Sequence, residues 1–311
     1  MANLRSKFRG SIFGAAIGDT LGMPVEKWTI EKIRSELGEV KDMLGGRQGP
    51  PGTWTDDTAM TIAVAESLIE CKGFDSSDMR SKFLRHYDPR RGFGLAVKSA
   101  LGVLTEEARK AVQEQLKVVG MWNGSAMRIA PVGLFYYDDP VKLRQASHES
   151  SKITHDHMLA HEGAALQAYA IGSLVGVEPG ALDPEGFLHQ LEGFVTEDAY
   201  KEQLRKALEM MSQHEDKQGI ANSLGNTAHA LQSIPTAIYS FVTHREDFRD
   251  AVIYAVNLGG DADTIGSMTG ALSGAYLGEE AIPSDWRTKV ENASYLCQLA
   301  DELFRLSTRN A

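Results

Sequence analysis

The sequence predicts a single all-α domain over residues 1–311, with its chemistry on the loops between helices. Three observations carry this. Apolar residues recur at helical spacing through most of the chain, beginning with Leu4, Phe8, Ile12, Ala15 and Ala16. Alternating strand patterns are scarce, and the pair Asn123-Gly124 is not flanked by them, so it is no hairpin turn. Glycines recur four apart in two places, Gly10, Gly14 and Gly18, then Gly266, Gly270 and Gly274. Each costs about 1 kcal/mol of helix propensity relative to alanine. Close approach of another backbone offsets that cost, so two glycine-lined helices are natural central partners.

Bulk composition narrows the function. A chain of 311 residues with 42% hydrophobic and 24% charged residues is ordinary for a soluble globular protein. The net charge of −10 and a pI near 5.4 argue against a nucleic-acid or anionic-membrane footprint. An anionic small ligand stays compatible, because bound divalent cations reverse the local field. Cys71 and Cys297, the two cysteines, support no disulfide framework and suit a reducing, cytoplasmic location. The N-terminal stretch makes a poor signal peptide, interrupted by Gly14, Gly18 and Asp19. No apolar run approaches the ~18 residues that span a bilayer.

Taken in order, the pattern predicts a first helix over Leu4 to Ile17, left at the Gly18-Asp19-Thr20-Leu21-Gly22 stretch. Asp19 and Glu26 are acids beside that turn, and singly such groups cap helices or face solvent. Ile30 to Leu37 reads as a short helix and Gly45 to Gly52 as a loop. Asp57 to Glu70 is apolar nearly all round, hence buried on most sides. Ser77 to Tyr87 is a further helix. Asp88 to Gly94 is a loop whose arginines can meet a phosphate, although surface arginines are the simpler account. Leu95 to Leu104 and Thr105 to Val119 follow as helices, the second well solvated. After the Trp122 to Arg128 loop, helices are expected over His161 to Val175, Asp198 to Met211, Ile234 to Val242 and Phe248 to Asn257. Gly219 to Ala230 reads as a small-residue loop, and Trp286 to Leu306 as one closing helix.

Two stretches carry the chemistry. Gly259-Gly260-Asp261-Ala262-Asp263-Thr264-Ile265-Gly266 sets two carboxylates and a hydroxyl behind a glycine pair, which suggests a tight loop opening a helix. Gly52-Thr53-Trp54-Thr55-Asp56-Asp57-Thr58 does the same at the start of an apolar helix. One such cluster is most simply an N-cap. Two clusters of hard oxygens, one heading a buried helix, favour a pair of divalent cations, Mg²⁺ or Mn²⁺. His157 and His161 share helical spacing, but zinc is disfavoured with no cysteine near and hard acids elsewhere. The small residues of Trp122-Asn123-Gly124-Ser125-Ala126-Met127-Arg128 would let backbone N–H groups approach a phosphate.

These pieces resemble the ADP-ribosylglycohydrolases, or ADP-ribosyl-acceptor hydrolases, a family that includes the dinitrogenase-reductase-activating glycohydrolase. The matching segments are Gly14 through Gly22 with Glu26, Thr53 to Thr58, Asn123 to Arg128, Thr154-His155 and Gly259 to Gly266, in the family's order. The resemblance implies a compact orthogonal all-α bundle with two Mg²⁺ (or Mn²⁺) ions. By position, the metal ligands would be Thr55, Asp56, Asp57, Asp261, Asp263 and Thr264. Glu26 would be the mobile acid near the metals, and with Asp56 it is the expected catalytic group. Trp122, Asn123, Gly124, Ser125, Ala126, Met127, Arg128 and His155 would contact the substrate. Trp122 departs from the glycine common before this Asn-Gly pair. The Asp88 to Gly94 loop, variable between subfamilies, leaves the acceptor open.

The resemblance thus implies hydrolysis of the bond between ADP-ribose and an acceptor such as protein arginine or serine, or poly(ADP-ribose). The expected partner is an ADP-ribosylated protein or an ADP-ribose-containing small molecule, and the expected state a monomer, with neither membrane nor nucleic acid. A non-catalytic ADP-ribose binder is the alternative, opposed by the presence of all six ligand positions. An isoprenoid-diphosphate enzyme is opposed by the lack of a DDxxD helix motif.

Overall fold

Two helices pack so closely that their backbones touch, and the molecule is arranged around them. In the computed structural model, which describes residues 2–213 and 215–307, Ala2–Gly22 runs antiparallel to Ala262–Leu277. Gly10, Gly14 and Gly18 face Gly274, Gly270 and Gly266, and a methyl group on any of the six would collide with the carbonyl oxygen of its opposite number. The two glycine stripes are therefore one interface, as their common spacing predicts.

Helix propensity loses to this packing at the end of the first helix. The expected exit at Gly18 does not occur: Gly18 and Gly22 continue the stripe against Gly266 and Ala262, and the helix runs on to Gly22. It ends in a short 3-10 turn at Met23–Val25, after which Lys27 adopts a left-handed φ of 68°.

Eighteen α-helices and no β-strand occur among the described residues, which agrees with the all-α expectation. Met158–Val175, Ala230–Thr243 and Phe248–Val256 pack on Ala262–Leu277. Ala293–Ser307 packs on both Ala2–Gly22 and Asp56–Cys71. One large apolar cluster joins these helices, with Phe8, Ile17, Met60, Leu166, Ile238 and Trp286 buried within it. No described helix is long and apolar enough to cross a membrane.

Three element expectations are corrected. Gly219 to Ala230 is not all loop, because Lys217–Leu224 is helical: Asp216 accepts from the Gly219 N–H at 2.8 Å, and Ile220 and Leu224 bury one face. The tail forms two helices, Ser284–Lys289 and Ala293–Ser307, separated where Asn292 takes φ 58°. Thr105 to Val119 breaks at Val112 into Glu106–Ala111 and Gln113–Val119.

Candidate active site

Helix ends from distant parts of the chain converge on one cavity of about 400 Å³. Its floor is built from the N-termini of Asp56–Cys71 and Ala262–Leu277. Helix starts leave N–H groups open and favour negative charge.

Asp19 fixes the first of these starts. Its carboxylate is fully buried and accepts from the Thr55 and Thr58 N–H groups at 3.0 and 3.1 Å, and from Thr58 Oγ1 at 2.6 Å. Asp19 is thus a cap, as its residue type allows, but it caps a helix other than its own. Thr55, the local N-cap, accepts from the Asp57 N–H at 3.2 Å.

The second start follows two glycines with φ of 66° and 65°, Gly259 and Gly260. A Cβ on Gly260 would collide with the Asn226 carbonyl oxygen. The loop is held from both sides: the Lys27 N–H donates to Gly260 O (2.6 Å), Gly260 N–H to Trp28 O (2.8 Å) and Asp261 N–H to Asn226 O (2.7 Å). The backbone beside Glu26 is thereby tied to the backbone that presents Asp261 and Asp263. Single carboxylate oxygens of Glu26, Asp261 and Asp263 lie within 4.8 Å of one another.

The floor repels itself. Burial first, then Asp19 and Glu26, push the Asp56 carboxyl up to about 7. Burial raises Asp261 to about 6, with Glu26 adding to the shift and the Asn123 amide opposing it. Asp57 and Asp263 are driven well above the usual carboxylate range by burial and then by their acidic neighbours. Asp57 Oδ2 is buried with no hydrogen-bond partner among the described residues. An orphaned carboxylate oxygen within an all-oxygen donor set fits a hard divalent cation. At the rim Lys27 and Arg47 pair with Glu26 at 2.7 and 2.5 Å, and behind the wall the buried Arg128 guanidinium feels the charge of Asp56.

The facing wall is neutral and closely bonded. Asn123 Nδ2 donates to Asp261 Oδ2 at 2.6 Å and to Ser233 Oγ at 2.9 Å. The Asn123 N–H donates to Ala228 O, which brings Thr227 and Ala228 to the cavity. His155 is buried, and burial, then Arg128, then His161, hold its imidazole down to about 3, so the ring is neutral at physiological pH.

Of the expected ligand set, Asp56, Asp57, Asp261, Asp263 and Thr264 line the cavity with Glu26, while Thr55 sits buried behind them at the helix cap. Of the expected substrate segment, Trp122, Asn123, Gly124 and Met127 line it, as does His155. Ser125, Ala126 and Arg128 do not. Ser125 bonds to Ala160 O and Ser151, Ala126 is buried, and Arg128 is fully buried with its donors turned inward. The Asp88 to Gly94 loop contributes Gly92 and Gly94, not its arginines. Arg90 pairs with Asp88, and Arg91 is held by Glu291 and stacked on Trp54 at 3.8 Å. His157 caps Met158–Val175 by accepting from the Leu159 N–H at 3.1 Å, so it does not share a helical face with His161.

A family model described as ADP-ribosylglycohydrolase matches residues 1–311. The ADP-ribosylhydrolase ARH3 of Mus musculus is 33% identical, covering 97% of this chain and 92% of the mouse protein. The ADP-ribosylarginine hydrolase Tri1 of Serratia proteamaculans is 27% identical, covering 97% of this chain and 80% of its own. A solved structure described as an ADP-ribosylglycohydrolase-related protein complex superimposes with a TM-score of 0.77 at 30% identity, covering 99% of this chain and 100% of the other.

Proposed function

The chain belongs to the ADP-ribosylglycohydrolase family, and from that premise we propose that its acid-floored cavity hydrolyses the bond between ADP-ribose and a protein acceptor, arginine or serine, with poly(ADP-ribose) as a further candidate. The observation that carries this reading is the convergence of Asp56, Asp57, Asp261 and Asp263, mutually repelling and with Asp57 Oδ2 unpartnered, on the floor of a cavity whose wall is neutral.

Asp56, Asp57, Asp261 and Asp263, with the hydroxyls of Thr55 and Thr264, would hold two divalent cations, Mg²⁺ or Mn²⁺. Such ions, when bound, supply a template for substrate oxygens and lower the pKa of bound water. The chain's own groups do the rest. Asn123 orients Asp261 through a direct hydrogen bond. Glu26 is the acid positioned to exchange a proton with water or with the leaving group as the bond at ribose C1″ breaks through an oxocarbenium-like transition state. Its carboxylate lies in the cavity lining, paired with Lys27 and Arg47. Trp122 and Met127 give apolar surface, while Gly124 and His155 give a close polar edge suited to phosphate or ribose oxygens.

The test is release of free ADP-ribose from ADP-ribosyl-arginine protein, ADP-ribosyl-serine peptide and poly(ADP-ribose), each in Mg²⁺ and in chelator. Metal-dependent release from one of them is expected, and it names the acceptor. ADP-ribose binding with no release from any of the three sinks the hydrolase reading and leaves a binding protein.

A further inference from the structure

Behind the cavity wall a buried hydrogen-bond chain ends on His155. Arg128 donates from Nη1 to the Gly124 carbonyl at 3.0 Å, and from Nη2 to the Ser150 carbonyl at 2.9 Å and Thr154 Oγ1 at 2.8 Å. A guanidinium has donors only, so Thr154 Oγ1 accepts there and keeps one proton to give. Its other partner is His155 Nδ1, also at 2.8 Å. Were Nδ1 protonated, Thr154 Oγ1 would accept from both sides, and its own proton, on a residue only 8% exposed, would have no acceptor among the described residues. The order that gives the Thr154 proton an acceptor runs from the Arg128 N–H to Thr154 Oγ1, and from the Thr154 O–H to Nδ1. The ring proton then resides on Nε2.

The Nε2 edge of the ring lies against the cavity wall. A Cβ on Gly124 would come within 2.5 Å of His155 Cε1 and 2.7 Å of Nε2. Gly124 and His155 both line the cavity, whereas Arg128 and Thr154 do not. We infer that Thr154, backed by Arg128, is a positioning residue that holds His155 as the Nε2–H tautomer, so that the imidazole meets the cavity's ligand as a hydrogen-bond donor to an oxygen. That the oxygen belongs to ADP-ribose rests on the reading above; the tautomer does not. Because Arg128 also binds the Gly124 carbonyl, the donor and the backbone facing it are fixed by one side chain.

Long-range ¹H–¹⁵N correlation spectra of the full chain with ¹⁵N-labelled histidine read the tautomer, with His155 assigned by its loss in His155→Gln. The Nε2-protonated pattern is expected in the wild type and in Thr154→Ser, and it should be lost in Thr154→Val. ADP-ribose affinity, measured by calorimetry, should fall roughly tenfold in Thr154→Val and return in Thr154→Ser. An Nδ1–H pattern in the wild type overturns the inference. So does Thr154→Val with an unchanged tautomer and full affinity. If Thr154→Val does not fold, the wild-type and Thr154→Ser spectra decide it. An Nε2–H pattern in a protein that does not bind ADP-ribose supports the tautomer and sinks the proposed ligand.

Discussion

Asp57 and Glu162 are both buried carboxylates, at 3% and 0% exposure, yet their surroundings push them in opposite directions. Glu162, on Met158–Val175, accepts from Arg144 Nη1 at 2.7 and 2.8 Å, meets His148 Nε2 at 3.1 Å, and also accepts from Thr196 Oγ1 at 3.0 Å and the Thr196 N–H. Burial opposes its charge, but His148, Thr196 and Arg144 together bring its carboxyl down to about 2. Asp57 has acids for neighbours and an oxygen without a partner among the described residues, and burial and those neighbours raise it. Burial alone therefore does not mark a functional acid. What separates the two is whether the chain itself supplies the partners. At Glu162 it does, and the group is structural. At Asp57 it does not, which is what the proposed cation would answer.

Substitution at each site should break the two apart. Asp57→Asn removes one charge from the repelling floor. Turnover should fall by at least about 10²–10³-fold, the scale of removing a group that acts on developing charge. The melting temperature in chelator should rise by about 2–5 °C, since a buried repulsion is relieved. ADP-ribose release and thermal melts with and without Mg²⁺ check this, and an Asp57→Asn variant that melts lower while keeping wild-type turnover contradicts the proposed role. Glu162→Gln should do the reverse. It leaves Arg144 short of its carboxylate, costs about 3 kcal/mol of stability and lowers the melting temperature in Mg²⁺ and in chelator alike.

Acid titration sharpens the same contrast at smaller amplitude. Glu162 has a folded value near 2 against an ordinary 4.5, so its contribution is present above about 4.5 and is lost as pH falls through 2. Between pH 5 and pH 2.5 the wild type should lose more stability than Glu162→Gln, whose amide does not titrate. Chemical denaturation at both pH values measures the difference, and parallel losses would show that Glu162 is not held down by its partners.

Much of this contrast was legible in the chain. The glycine spacing gave away the central pair because periodicity survives folding: residues four apart on each helix stay on one face. The two acid stretches stood out because each packs hard oxygens behind a glycine. Asp19 was visible as an acid suited to capping, but nothing local says that a residue near the end of one helix will cap another 36 positions on. The same limit hid Thr227 and Ala228, which reach the cavity in a segment held by the backbone pairings of Asn123 with Ala228, Met121 with Ala230 and Asp261 with Asn226. It also left Ser125, Ala126 and Arg128 grouped with the cavity wall they support, because contiguity along a segment does not tell which side chains turn inward. Continuation of the first helix past Gly18 needed the partner backbone, without which glycine reads as a stop.

The smallest expected effect lies at the rim, where Glu26 has what the floor acids lack. Arg47 and Lys27 pair with it, but their side chains are 66% and 76% exposed. Exposed ion pairs contribute about 0–1 kcal/mol, so losing one changes a rate by no more than about fivefold. Arg47→Ala should leave the melting temperature within about 1 °C of wild type. If Glu26 acts on substrate as proposed, this removes a contact that competes for its carboxylate, so kcat should rise slightly or stay level, and the effect should shrink as salt screens the pair. Steady-state kinetics at low and high ionic strength measure this. A fall in kcat larger than tenfold at both salt concentrations would mean that Arg47 itself contacts the substrate, and the rim would then have to be counted with the wall as part of the binding surface.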